Sequence, residues 1–192
     1  MTHLTVSMCA SRSCLAKPGA AHDRPRLCDA GAVVTARLGG PDEFRAGVAV
    51  WRAANHARLG RPLAASHEVR ARSYEDADGF FLVVAEDDGE VVGGVIGMQA
   101  RAHDGKGAPE RGLCHISMVF VAPDRWGEGI GARLLGAVMA EAGARGYDRV
   151  QLWTDADNHR AHALFERAGL RRTGREKVDD AGTPTVHYAA RL

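Results

Sequence analysis

A chain of 192 residues, 45% of them hydrophobic, is long enough to bury a core and reads as a single domain. Lys and Arg number 25 against 24 Asp and Glu, so a formal charge of +1 gives no basic surface for nucleic acid. No apolar run reaches the ~20 residues of a membrane span, and the start MTHLTVSMCASRSCLA lacks a basic n-region; no membrane partner is expected, and the location expected is the cytoplasm.

Residues 1–30 mix Ser, Cys, Pro and Gly without periodicity, which predicts a flexible tail before a domain over 31–192. Cys9, Cys14, Cys28 and Cys114 make no Cys-x-x-Cys pair, so no metal site is expected, and Cys114 reads as a small buried hydrophobe. A first strand is predicted over Ala32–Leu38. Beyond Pro41 the three-and-four spacing of Phe44, Val48, Trp51 and Ala54 predicts a helix. A more polar helical segment follows over Ala64–Ala77. Phe80–Ala85 and Val91–Met98 read as strands of a hairpin, because the intervening Asp88-Gly89 step supplies a turn with positive φ. The stretch 103–111 reads as a loop, and Leu113–Val121 as a strand halted before Pro123.

From Gly127 a helix is predicted with Ile130, Leu134, Leu135, Val138 and Met139 on one face. A strand over Arg149–Trp153 comes next, then a helix through Leu164 and Phe165 capped by Gly169. Strands over Leu170–Val178 and Thr183–Ala190 finish the order β-α-α-β-β-β-α-β-α-β-β, an α/β layout on a mixed sheet.

The segment VFVAPDRWGEGIGARLL sets Gly127, Gly129 and Gly131 at alternate positions between a strand and a helix. A helix start offers unpaired amides and a positive dipole end, and glycine lets the backbone approach an anion. A plain strand-to-helix turn needs fewer glycines. Gly127, Gly129 and Ala132 also fit a dinucleotide fingerprint, but too little chain follows to build the remaining strands of that fold. A nucleotide P-loop fails for want of Gly-Lys-Ser/Thr. A coenzyme A site is the third reading.

Val119–Leu135 resembles the coenzyme A motif of the GCN5-related N-acetyltransferases, the GNAT superfamily: a strand, a proline, Gln/Arg-x-x-Gly-x-Gly/Ala and a helix. Asn158-x-x-Ala161-x-x-x-Phe165-x-x-x-Gly169-Leu170 is similar to the same family's second motif. The resemblance implies a mostly antiparallel sheet splayed between its fourth and fifth strands, with acetyl-CoA as co-substrate. It implies that backbone groups of Val119, Phe120 and Val121 pair with the pantetheine arm, and that amides of Gly127, Glu128, Gly129, Ile130, Gly131 and Ala132 hold the diphosphate. It also implies that Asn158 contacts the pantetheine and that an amide near Met118 or Val119 polarises the thioester carbonyl. Trp126 departs from the Gln or Arg of the motif.

The implied reaction is acetyl transfer to an amine of a small molecule or peptide; the alternative is a non-catalytic acyl-CoA-binding or regulatory module on the same fold. The resemblance puts His115 where some members carry a glutamate base, and an imidazole near pKa 6.5 suits that task. Asp155 and Glu86 are the other candidates. Phe165 replaces the tyrosine acid of some members; His162, one turn earlier, is the candidate substitute, though it reads first as an exposed surface histidine. Trp51, Arg52, His56 and Tyr74 are candidates for the acceptor pocket. The sequence leaves a monomer or a homodimer open.

Overall fold

The run FLVVA is buried at every position and therefore needs cover on both sides. A computed structural model describes residues 34–192; the expected tail and Cys9, Cys14 and Cys28 lie outside the described residues. The elements are β1 (Thr35–Gly39), α1 (Pro41–Leu59), α2 (Ala65–Arg72), β2 (Phe81–Asp87), β3 (Glu90–Arg101), α3 (Ala102–Gly105), β4 (Pro109–Val121), α4 (Ile130–Ala144), β5 (Arg149–Asp155), α5 (His159–Arg167), β6 (Arg171–Val178) and β7 (Pro184–Arg191). Short 3-10 turns stand at Ser73–Asp76 and Pro123–Arg125. The strands form one seven-stranded sheet in the order β1-β2-β3-β4-β5-β7-β6, antiparallel throughout except for β4 beside β5.

Alternation along β2 divides the core. Phe81, Val83 and Ala85 pack with Ile130, Leu134, Leu135, Val138 and Ala142 of α4 on one face. Leu82 and Val84 pack with Phe44 of α1 and with Ile96 and Met98 of β3 on the other. Each fully buried Leu or Val contributes about 1.5–3 kcal/mol, so α4 is the main apolar anchor. Cys114 lies wholly buried in the α4-side core, as its sequence context predicts.

Three boundaries differ from the sequence reading. β1 begins at Thr35, while Ala32 lies outside the described residues. β4 begins at Pro109, inside the predicted loop, because Arg101 pairs with Pro109 and the Gln99 amide donates to the Glu110 carbonyl at 2.6 Å. α4 begins at Ile130 instead of Gly127, because Gly127 and Gly129 adopt φ of 97° and 78°, which no right-handed helix includes. The remaining one-turn α3 holds His103 and Asp104 at φ 51° and 54°, a reversal that folds the β3–β4 connection back.

Candidate active site

β4 and β5 pair through Leu113–Arg149, Cys114–Val150 and His115–Gln151, and there the ladder stops. From Ile116 onward the β5-facing edge of β4 has no strand partner among the described residues. On its other side the register slips: Ile96 pairs with Ser117 but Gly94 with Phe120, leaving Met118 and Val119 outside the ladder. Met118 takes φ 49°, a conformation that costs a side-chain-bearing residue about 1–2 kcal/mol. The bulge thus turns backbone groups out of the sheet at the point where the two strands part.

A cleft of about 960 Å³ opens over this splay, floored by His115, Val119, Gln151 and Trp153. Trp51 and Tyr74 line it as expected, whereas Arg52 pairs with Glu68 at 3.0 Å and His56 is exposed, and neither lines the cleft. Ties between α2 and the β6–β7 turn reinforce the rim: His67 Nε2 lies 3.2 Å from Asp179, and Arg70 pairs with Asp180. On another side Asp104 holds Arg175 at 2.7 Å.

His115 faces this cleft from β4, partly exposed. Burial pushes its imidazole down to about 4, with Lys177 and His187 adding to the shift and Asp104 opposing it. His115 is therefore neutral across physiological pH, with a lone pair free to accept a proton, though a weaker base than its ordinary value implies. Beside it, His187 is buried, and burial followed by Arg175 lowers it to about 4 as well. The Arg175 amide donates to Thr173 Oγ1 at 3.4 Å, and that oxygen lies 2.8 Å from His187 Nδ1. On the other side of the ring, His187 Nε2 lies 3.0 Å from Gln151 Oε1, so both ring nitrogens are engaged and Gln151 is held at the cleft lining. Trp153 carries Lys177 over its ring at 4.2 Å, and burial pushes the Lys177 ammonium down.

Of the other nominated bases, Asp155 lines the cleft but is held by Arg58 at 2.5 Å. Glu86 pairs with Arg37 at the β1 edge and lies outside the cleft, so that candidacy is withdrawn. His162 is not the surface histidine the sequence implies. It is half-buried, with Nδ1 3.0 Å from the Tyr188 hydroxyl and Nε2 3.1 Å from the Ala156 carbonyl. Phe165 is buried at 4% exposure and borders the cleft, its ring 5.7 Å from that of Tyr188.

The glycine loop follows the end of β4, beyond the cleft lining. Among the described residues the amides of Gly127, Glu128, Gly129, Ile130 and Gly131 meet no acceptor, while Ala132 N–H donates to the Gly129 carbonyl at 3.1 Å. Space above Gly127 and Gly129 is open for at least 4 Å from where a Cβ would stand. Arg125 fixes the loop from below, with Asp87 at 2.6 Å and Glu128 at 2.8 Å, which holds the Glu128 carboxyl below its usual range. Val119 lines the cleft; Phe120 is buried opposite Gly94, and the Val121 carbonyl accepts the Trp126 indole N–H at 2.9 Å. Asn158 also lines the cleft while its Oδ1 caps α5 by accepting from Ala161 N–H at 3.2 Å. These features fit a thioester coenzyme with a diphosphate: a bare strand edge, a bulge and a row of free amides in succession.

The model of the Acetyltransferase (GNAT) family matches residues 49–170. The chain belongs to the GNAT acetyltransferase family. It is 35% identical over 156 residues to mycothiol acetyltransferase of Cellulomonas flavigena, covering 74% of this chain and 41% of that protein. Its namesake in Kocuria rhizophila is also 35% identical, over 120 residues, 62% of this chain and 39% of the relative. The chain thus spans about two fifths of the length of these curated relatives. Among solved structures, a ribosomal-protein-alanine N-acetyltransferase from Brucella melitensis superimposes with TM-score 0.62 at 24% identity, over 82% of this chain and 99% of that one. A GNAT-family acetyltransferase from Staphylococcus aureus Mu50 does so with TM-score 0.67 at 13% identity, over 83% and 99%. At such identities the likeness is one of fold.

Within this GNAT chain, Gln151, Thr173 and His187 were invisible to motif reading. They lie on three different strands, and only the β5–β7–β6 order brings them together. One signal did exist: in PTVHYAAR a histidine stands inside an otherwise apolar strand, where a buried polar group requires partners.

Proposed function

We propose that this chain moves the acetyl group of acetyl-CoA directly to an amine of a small molecule or protein. The observation that carries the reading is the pairing of two unpaired backbone stretches on one strand and its following loop: the bare β4 edge with its Met118 bulge, and, after the bonded turn Ala122–Trp126, the free amides of Gly127–Gly131. A coenzyme lying there would present its thioester at the cleft floor beside His115. Acetyl-CoA, when bound, supplies an acetyl group on a thiolate leaving group of pKa about 8.5, which departs without an obligatory acid.

The chain's own residues then have separable tasks. Val119 and the amides of Gly127, Glu128, Gly129, Ile130 and Gly131 bind, with Ala132 contributing through the helix start. Asn158 offers its amino group to the same arm. His115 accepts the proton that an alkyl ammonium, with pKa about 10.4, must lose before it attacks. The Met118 or Val119 amide faces the developing oxyanion. A cleft near 960 Å³ sits at the upper end of small-molecule sites, which supports a small amine as acceptor. The name mycothiol acetyltransferase borne by the relatives agrees with that class.

The test is a thiol-release assay with acetyl-CoA against a panel of amines, alongside calorimetric coenzyme binding. Release of free CoA with at least one amine supports the reading. Binding without turnover on every acceptor supports a regulatory module, the reading that Phe165 in place of tyrosine favours. No binding at all refutes both.

A further inference from the structure

We propose that Arg160 is a phosphate-binding residue of the coenzyme site, supplying from α5 a charged donor beside Trp126, which replaces the Gln or Arg of the motif. The proposal rests on the coenzyme reading above. The motif's Gln or Arg position holds Trp126, an apolar ring one residue before the first free amide of the loop. That ring is fixed, because its Nε1–H donates to the Val121 carbonyl at 2.9 Å. Over it lies the guanidinium of Arg160, with its central carbon 4.1 Å from the ring centroid.

Stacking uses the flat face of a guanidinium and leaves its N–H edge for an anion. Among the described residues Arg160 forms no ion pair, so nothing in the described chain already claims that edge. Arg125, adjacent in sequence to Trp126, cannot take the role: its nitrogens face Asp87 and Glu128. The placement also runs against helix electrostatics. Arg160 stands in the first turn of α5, which contains no acidic residue, at the positive end of the dipole. The first turn of α4 contains no acidic residue either. The carboxylates nearest these helix starts are already paired, Glu128 of the loop with Arg125 and Asp157 before α5 with Arg58, so neither claims Arg160. A phosphate held by the loop amides is the chemistry its open edge matches.

Calorimetry of coenzyme A binding at fixed salt tests this, using wild type, Arg160→Ala, Arg160→Lys and Trp126→Leu. Arg160→Ala should weaken CoA binding about tenfold or more, the usual loss for a charge-assisted hydrogen bond. Arg160→Lys should recover part of it. Trp126→Leu should weaken binding too, and the two losses should not add, since the ring positions the guanidinium. Pantetheine, which has no phosphate, should bind wild type and Arg160→Ala alike. With 3′-dephospho-CoA, a persisting loss assigns Arg160 to the diphosphate and a vanishing loss to the 3′-phosphate; either supports the proposal. Unchanged CoA affinity in Arg160→Ala, or an equal loss for pantetheine, overturns it and leaves the coenzyme reading intact. Wild type that binds no CoA overturns both.

Discussion

His115 shows how far position and environment can pull apart. Its place on β4, beside the point where β5 departs, is where the proposed transfer needs proton removal from an attacking amine, yet burial pulls the imidazole down to about 4. A base that weak accepts a proton only as the amine attacks, in concert with bond formation. His115→Ala should therefore lower kcat by about 10²-fold at pH 7, a typical contribution for a placed base. The loss should shrink at pH 9.5, where solvent deprotonates a larger share of the amine. Initial rates at the two pH values check this, and an equal loss at both would remove His115 from proton transfer. Gly129 makes a complementary case. With φ 78° and open space beyond it, Gly129→Glu fits sterically at a strain of about 1–2 kcal/mol, but sets a carboxylate over the free amides. Acetyl-CoA binding should disappear while the circular dichroism spectrum stays native; unchanged affinity would clear the loop of any role with phosphate.

At the scale of elements, α4 joins the core to the glycine loop. Its start is exposed glycine, and its body carries Leu134, Leu135 and Val138 with no solvent exposure. Leu134→Ala should cost about 2–5 kcal/mol in chemical denaturation, with the coenzyme affinity of the remaining folded protein nearly unchanged. A loss of binding larger than the loss of stability would mean that the loop depends on this packing. The strands and helices were legible because their periodicities are strong: FLVVA, the α4 heptad-like face and the glycine loop all announce themselves locally. Boundaries were not, since β4 extends back to Pro109 only through Gln99 of β3, and α4 loses its first predicted turn to glycine conformations. Of the candidate site, the local part was legible: Val119 and His115 line the cleft from β4, and Gly127–Gly131 follow in the loop beyond it. Glu86 and His56 failed because chain proximity to a strand end or helix face says nothing of which side the sheet turns to the cleft.

For the whole molecule, two histidines with lowered pKa have a consequence for stability. His115 and His187 sit near 4 when folded, against an ordinary value of 6.5 that they regain on unfolding. Between those values the unfolded chain binds more protons than the folded one, so stability rises with pH across this window. Their contribution is complete above about pH 6.5 and is lost progressively as pH falls towards 4. Glu43 acts in a lower window: Arg37, its own backbone amide and that of Gly40 hold it near 2, so its contribution fades only as pH drops below about 4.5. The Tm should therefore decline from pH 6.5 to 4.5 before any carboxylate effect begins. In His187→Gln that slope should be shallower, even though the lost Thr173–His187–Gln151 chain lowers the Tm at pH 7. The slope separates titration from packing, because a glutamine cannot take up a proton in this range. A variant whose Tm falls as steeply as wild type between pH 6.5 and 4.5 would show that His187 is not what the acid attacks.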